Sequence, residues 1–106
     1  MIDDRKSITV LIPVYNEEWA IFPLFGKLNA VVESHSEFNW EILFVDDGSK
    51  DGTVKNIEQL EQQESNVRVI RLRKNYGLTQ ALQAGFDHAN SDYVVTISGN
   101  LQNDPK

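Results

Sequence analysis

The alternation of two hydrophobic periods along the chain narrows its possible folds more than any other feature. Four short runs rich in β-branched and apolar residues, at residues 7–14, 40–45, 67–72 and 93–97, are separated by three segments whose apolar residues recur at helical spacing. The first helical segment carries Ile21, Leu24, Phe25, Leu28, Val31 and Val32, with Pro23 where a first turn tolerates it, and predicts about 12–14 residues of helix. The second uses Val54, Ile57 and Leu60, with Asp51 placed as its N-cap. The third, over residues 78–86, holds Ala81, Ala84 and Gly85, small enough to let a helix lie close on a sheet. No hairpin signal joins successive strands, so each connection is a right-handed crossover. The expected fold class is therefore α/β: an open parallel sheet with helices on both faces.

Composition bounds the rest. A chain of 106 residues fits one domain over 1–106, with no linker or internal repeat. Apolar residues at 41% and charged residues at 25% exclude a disordered or low-complexity chain. Ten basic against sixteen acidic residues give a net charge of −6, which argues against a nucleic-acid partner. No cysteine is present, so disulfides and cysteine-based zinc sites are excluded, and a cytoplasmic location is expected. His35 and His88 fall late in predicted helices and read as solvated or helix-end residues. No signal peptide is indicated and no apolar run is long enough to be a membrane segment.

In open parallel sheets ligands bind beyond the carboxyl ends of the strands, where loops and helix N-termini converge. The unusual polar residues sit there. Asp46 and Asp47 directly follow the second strand, so at least one carboxylate is expected to face the crevice and accept hydrogen bonds from a base or ribose; Asp47-Gly48 and Asp51-Gly52 also read as plain turn and cap residues. Arg71, Arg73 and Lys74 cluster after the third strand and are the best local candidates for offsetting a diphosphate, with a solvated surface as the competing reading. The turn after the first strand has no glycine, which excludes the G-x-G-x-x-G dinucleotide site. Neither a Walker phosphate loop nor a G-x-S-x-G elbow occurs.

Four strings taken together carry a resemblance. They are V-L-I-P-V-Y-N-E-E at 10–18, E-I-L-F-V-D-D-G-S-K-D-G-T at 41–53, L-R-K-N-Y-G at 72–77 and N-L-Q-N-D-P at 100–105. In order and spacing the chain, over residues 7–106, resembles the N-terminal half of family 2 glycosyltransferases, above all the polyprenyl-phosphate sugar transferases. The resemblance implies the Rossmann-like half of a GT-A fold that binds a nucleotide diphosphate sugar, with Pro13, Tyr15 and Glu17 lining the nucleotide pocket and Asp46 contacting the base. It also implies transfer of the sugar to an acceptor such as a polyprenyl phosphate or glycan, assisted by magnesium or manganese bound at a D-x-D element after the fourth strand.

That element is altered. Where the resembling enzymes read D-A-D-L-Q-D-x-P, this chain reads Ser98-Gly99-Asn100-Leu101-Gln102-Asn103-Asp104-Pro105, leaving Asn100 and Asp104 as the metal candidates. Exchanging two carboxylates for a hydroxyl and an amide removes most of the attraction for a divalent ion. The resembling enzymes also continue for another half that carries the acceptor site, so no catalytic base can be named within these residues. Two readings stay open: an incomplete donor-binding part of an enzyme, inactive alone, or a non-catalytic binding or assembly module derived from one. A place at the cytoplasmic membrane face in the longer protein and self-association through an open sheet edge are further expectations.

Overall fold

In the computed structural model, which describes residues 4–98, the elements follow the order β1 (Lys6–Val14), α1 (Ile21–Ser34), β2 (Phe38–Asp46), α2 (Thr53–Gln63), β3 (Val67–Arg71), α3 (Leu78–His88) and β4 (Tyr93–Thr96). All strand pairs are parallel and the sheet order is β3-β2-β1-β4. Asp46 is in register with Val14 and Arg71, which brings the exits of β1, β2 and β3 to one edge.

Each face of the sheet is apolar because its central strands are covered twice. Val10, Ile12 and Val14 of β1 and Ile42 and Phe44 of β2 pack under Ile21, Leu24 and Phe25 of α1 and Ile57 and Leu60 of α2. The alternate residues Leu11, Leu43 and Val45 pack under Ala81 and Leu82 of α3. The period-2 pattern of β1 and β2 thus feeds two cores, as a parallel sheet buried on both faces requires. Small residues in α3 do what their size predicts. Gly85 is buried directly over Leu11, where an added Cβ would stand 2.8 Å from Leu11 Cδ2 and nearer still to Cδ1.

Several boundaries differ from the sequence expectation. β2 begins at Phe38 because Phe38 and Trp40 stack edge to face at 6.0 Å and Trp40 Nε1 donates to the His35 carbonyl. α3 runs on to His88, whose ring Nδ1 lies 2.9 Å from the Ala84 carbonyl oxygen. α2 is capped at Gly52 rather than Asp51. Asp51 still serves that helix, since its Oδ1 accepts from Thr53 N–H at 2.9 Å and from the Thr53 hydroxyl. β4 lies at the outer edge of the sheet, with Tyr93 and Val95 exposed. Among the described residues no helix is long and apolar enough to cross a membrane.

Candidate functional site

The loops after β1 and β2 are stapled to each other by polar side chains. Asn16, at φ 52°, donates its N–H to Ser49 Oγ at 2.7 Å and accepts the Lys50 N–H on Oδ1 at 2.9 Å. Glu17 N–H donates to Thr53 Oγ1 at 2.8 Å, and Gly52 N–H donates to Glu18 Oε1 at 2.6 Å. Asn56 Nδ2 closes the set on the Glu18 carbonyl at 2.9 Å. Burial raises the Glu17 carboxyl above its ordinary value of 4.5, and the neighbouring Asp51 charge adds to that shift. For Asp51, burial acts upward too, but hydrogen bonds from Thr53 and Glu18 outweigh it and hold that carboxyl below 3.8.

The loop after β3 is tied down from the other side, by Asp47. Its Oδ1 accepts Tyr76 N–H at 2.8 Å, and its Oδ2 accepts Gly77 N–H at 3.0 Å and Asn75 Nδ2 at 3.1 Å. Asn75 Nδ2 also reaches the Asp47 carbonyl at 3.2 Å. Gly48, at φ +81°, lets the Lys74–Asn75 backbone lie against it with no Cβ between. Lys74 Nζ sits 5.5 Å from the centre of the Tyr76 ring.

Between these tied loops lies a cleft of about 820 Å³ at the carboxyl edge of the sheet. Asp46, Tyr15, Ser49, Lys50, Arg73 and Lys74 contribute to its wall. Asp46 is only 2% exposed; one carboxylate oxygen, Oδ2, accepts Ser49 N–H at 2.9 Å. The other, Oδ1, is buried without a hydrogen-bond partner among the described residues. A buried carboxylate oxygen without a donor costs free energy, which a donor reaching Asp46 from the cleft would relieve. Cations line the same cleft. Arg71 also lines it but is drawn to Glu58 Oε2 at 3.5 Å, leaving Arg73, Lys74 and Lys50 as its other basic side chains. A smaller depression of about 300 Å³ at the opposite end of the strands is lined by Glu41 and Arg68, which satisfy each other at 2.9 Å.

Of the residues singled out from sequence, Tyr15, Asp46, Arg71, Arg73 and Lys74 come together on this cleft. Three do not line it. Pro13 shares the parity of Leu11 and lines a separate apolar pocket of about 300 Å³ with Leu78, Leu82 and Ile97. Glu17 enters through its backbone staple, and Asp47 is engaged by the β3 loop. Asn100 and Asp104 lie outside the described residues. Among the described residues no group of three or more His, Asp or Glu side chains could hold a metal ion. Sequence reasoning passed over Ser49, Lys50 and Asn75 as cleft residues; the polar turn D-D-G-S-K was the available signal for the first two.

Known proteins share this architecture. Over 101 residues the chain is 38% identical to a dodecaprenyl-phosphate galacturonate synthase of Rhizobium johnstonii, covering 94% of this chain and 30% of that protein. It is 38% identical over 102 residues to an undecaprenyl-phosphate 4-deoxy-4-formamido-L-arabinose transferase of Salmonella paratyphi A, covering 95% of this chain and 31% of the relative. The chain thus spans just under a third of the length of these curated relatives. Among solved structures, the mannosyltransferase PcManGT from Pyrobaculum calidifontis, in complex with GDP-Man and Mn2+, superposes with a TM-score of 0.72 at 25% identity, covering 90% of this chain and 28% of that one. Residues 9–106 match the family described as Glycosyl transferase family 2, and the chain belongs to that family.

Proposed function

We propose that residues 1–106 form one nucleotide-binding unit of a glycosyltransferase, and that the cleft between the β1, β2 and β3 loops holds the nucleoside diphosphate of a sugar donor. The observation that carries this reading is that Asp46, a residue of the cleft wall, has a buried Oδ1 without a hydrogen-bond partner among the described residues. An imide or amide N–H of a base, or a ribose hydroxyl, would donate to it. Tyr15 offers an exposed aromatic ring beside that acid, and Arg73 and Lys74 offer the positive charge a diphosphate needs. Pro13 and Glu17 shape the β1 exit from outside the cleft. The relatives named for polyprenyl-phosphate products support a polyprenyl phosphate as the acceptor class, and with it a place at the cytoplasmic membrane face.

PcManGT was solved with manganese, but this chain has Ser98 and Asn100 where the family resemblance leads one to expect two acids, so nucleotide binding here is expected to depend little on the metal. These substitutions also favour a second reading, a binding module that no longer transfers sugar. Calorimetry with UDP and GDP, with and without manganese, on the wild type and on Asp46→Ala tests the main reading. Loss of the charge-assisted bond should weaken binding by about 1–3 kcal/mol. Equal affinity of the two proteins would remove Asp46 from the site.

A further inference from the structure

The turn after β2 reaches the cleft through Ser49 and Lys50, and one residue of the β1 loop holds both. Asn16 N–H donates to Ser49 Oγ at 2.7 Å, and Asn16 Oδ1 accepts the Lys50 N–H at 2.9 Å. The Asn16 backbone, at φ 52°, is left-handed, a conformation that asparagine tolerates better than most residues. Among the described residues no other hydrogen bond reaches the Ser49 hydroxyl or the Lys50 N–H. The remaining ties between the two loops, Glu17 to Thr53, Glu18 to Asp51 and Gly52, and Asn56 to Glu18, lie further along and grip the start of α2. Asn16 itself is exposed and stands outside the cleft wall, whereas Lys50 is exposed on that wall. Among the described residues the Lys50 ammonium group has no carboxylate partner.

We infer that Asn16 is a positioning residue: by pinning the backbone of Lys50 it holds that unpaired cation at the cleft, and so tunes affinity for the phosphates of a nucleoside diphosphate. This rests on the cleft binding such a ligand. Without the Asn16 amide oxygen, residues 49 and 50 would keep the local bond from Ser49 N–H to Asp46 Oδ2, but the Lys50 N–H would have no partner in the fold. The Lys50 charge would then be averaged over more positions, and ligand binding would have to supply the ordering. A lysine side chain is flexible even on a fixed backbone, which keeps the effect to a few-fold and bounds it by what Lys50 itself contributes. The two loops stay joined throughout, because the ties at residues 51–56 do not involve the Asn16 side chain.

The test is a double-mutant cycle on the full chain, read by calorimetry with UDP and GDP. Asn16→Gly adopts the left-handed backbone freely and keeps the N–H to Ser49, so it deletes the amide oxygen alone and the chain still folds. Lys50→Ala should weaken diphosphate binding by about tenfold, the scale of one charge-assisted contact, and Asn16→Gly by about threefold. In the Lys50→Ala background, Asn16→Gly should change affinity by less than about 1.5-fold, a non-additivity that a general loosening of the site would not give. Asn16→Asp, which retains the acceptor, should bind as the wild type does. Amide exchange at Lys50 should accelerate in ligand-free Asn16→Gly and not in Asn16→Asp. Wild-type affinity in Asn16→Gly beside a clear loss in Lys50→Ala, or the same loss from Asn16→Gly in both backgrounds, overturns the positioning role and leaves the cleft reading standing. No loss in Lys50→Ala overturns the role of that cation and the inference with it; the cleft reading falls as well only if Asp46→Ala also binds like the wild type.

Discussion

Replacing Gly48 by alanine probes the joint on which the cleft depends. At φ +81° an L-residue is strained by about 1–2 kcal/mol. Its Cβ would also stand 2.6 Å from Asn75 N and 2.8 Å from Lys74 Cα, with Lys74 C closer still. These are backbone atoms and cannot rotate away, so the β3 loop must retreat by roughly 1 Å to reach ordinary contact. Overpacking of this kind costs about 1–3 kcal/mol, which makes the expected loss about 2–5 kcal/mol. A small domain has only about 5–15 kcal/mol in total, so the change is visible in a urea melt as a midpoint lowered by about 1–2 M. Gly26→Ala is the internal control: it sits mid-α1 with nothing within 4 Å of the added Cβ, and should gain up to about 1 kcal/mol from helix propensity. A Gly48→Ala loss below about 0.5 kcal/mol would show that the close approach of the β2 and β3 loops is not as described.

Two further outcomes follow from the packing and the charges. Gly85→Ala should destabilise by about 1–3 kcal/mol despite its better helix propensity, because Leu11 is fully buried and cannot yield; Leu11→Ala in the same chain should make the added methyl nearly neutral, and a double-mutant cycle by urea melts measures that coupling. Asp92 accepts Ser7 N–H at 2.8 Å and Ser7 Oγ at 3.1 Å, and these bonds hold its carboxyl below 3.8. A depressed folded-state value means stability present above the unfolded-state value and lost as pH falls through the folded one, so Asp92→Asn should flatten the acid limb of the stability curve below about pH 4.

The elements were legible because hydrophobic period is a local property. Ile21, Leu24 and Phe25 lie at helical spacing, and all three are buried on one face of the sheet. Strand order was not legible in the same way, since nothing local in residues 93–97 says that β4 pairs with β1 rather than β3. Adjacent carboxylates posed a sharper limit. Asp46 and Asp47 are chemically identical in sequence, and only a loop 28 to 30 residues further on decides that Asp47 turns to it while Asp46 stays at the cleft. Pro13 was within reach, because parity with Leu11 already assigns it to the α3 face of β1. Asp51 shows how close a local reading can come: it was placed as the cap of α2, and it serves the first helical N–H from one residue earlier.

The central claim is that a nucleoside diphosphate occupies the cleft at the carboxyl edge of the sheet, and residue-resolved NMR titration of the chain with UDP and GDP addresses it most directly. Saturable amide shifts should concentrate at Tyr15, Ser49, Lys50, Arg73 and Lys74 and should vanish in Asp46→Ala. Shifts confined to Ser7, Asn39 and Ser91 at the opposite end of the strands, or none at millimolar nucleotide, would contradict it.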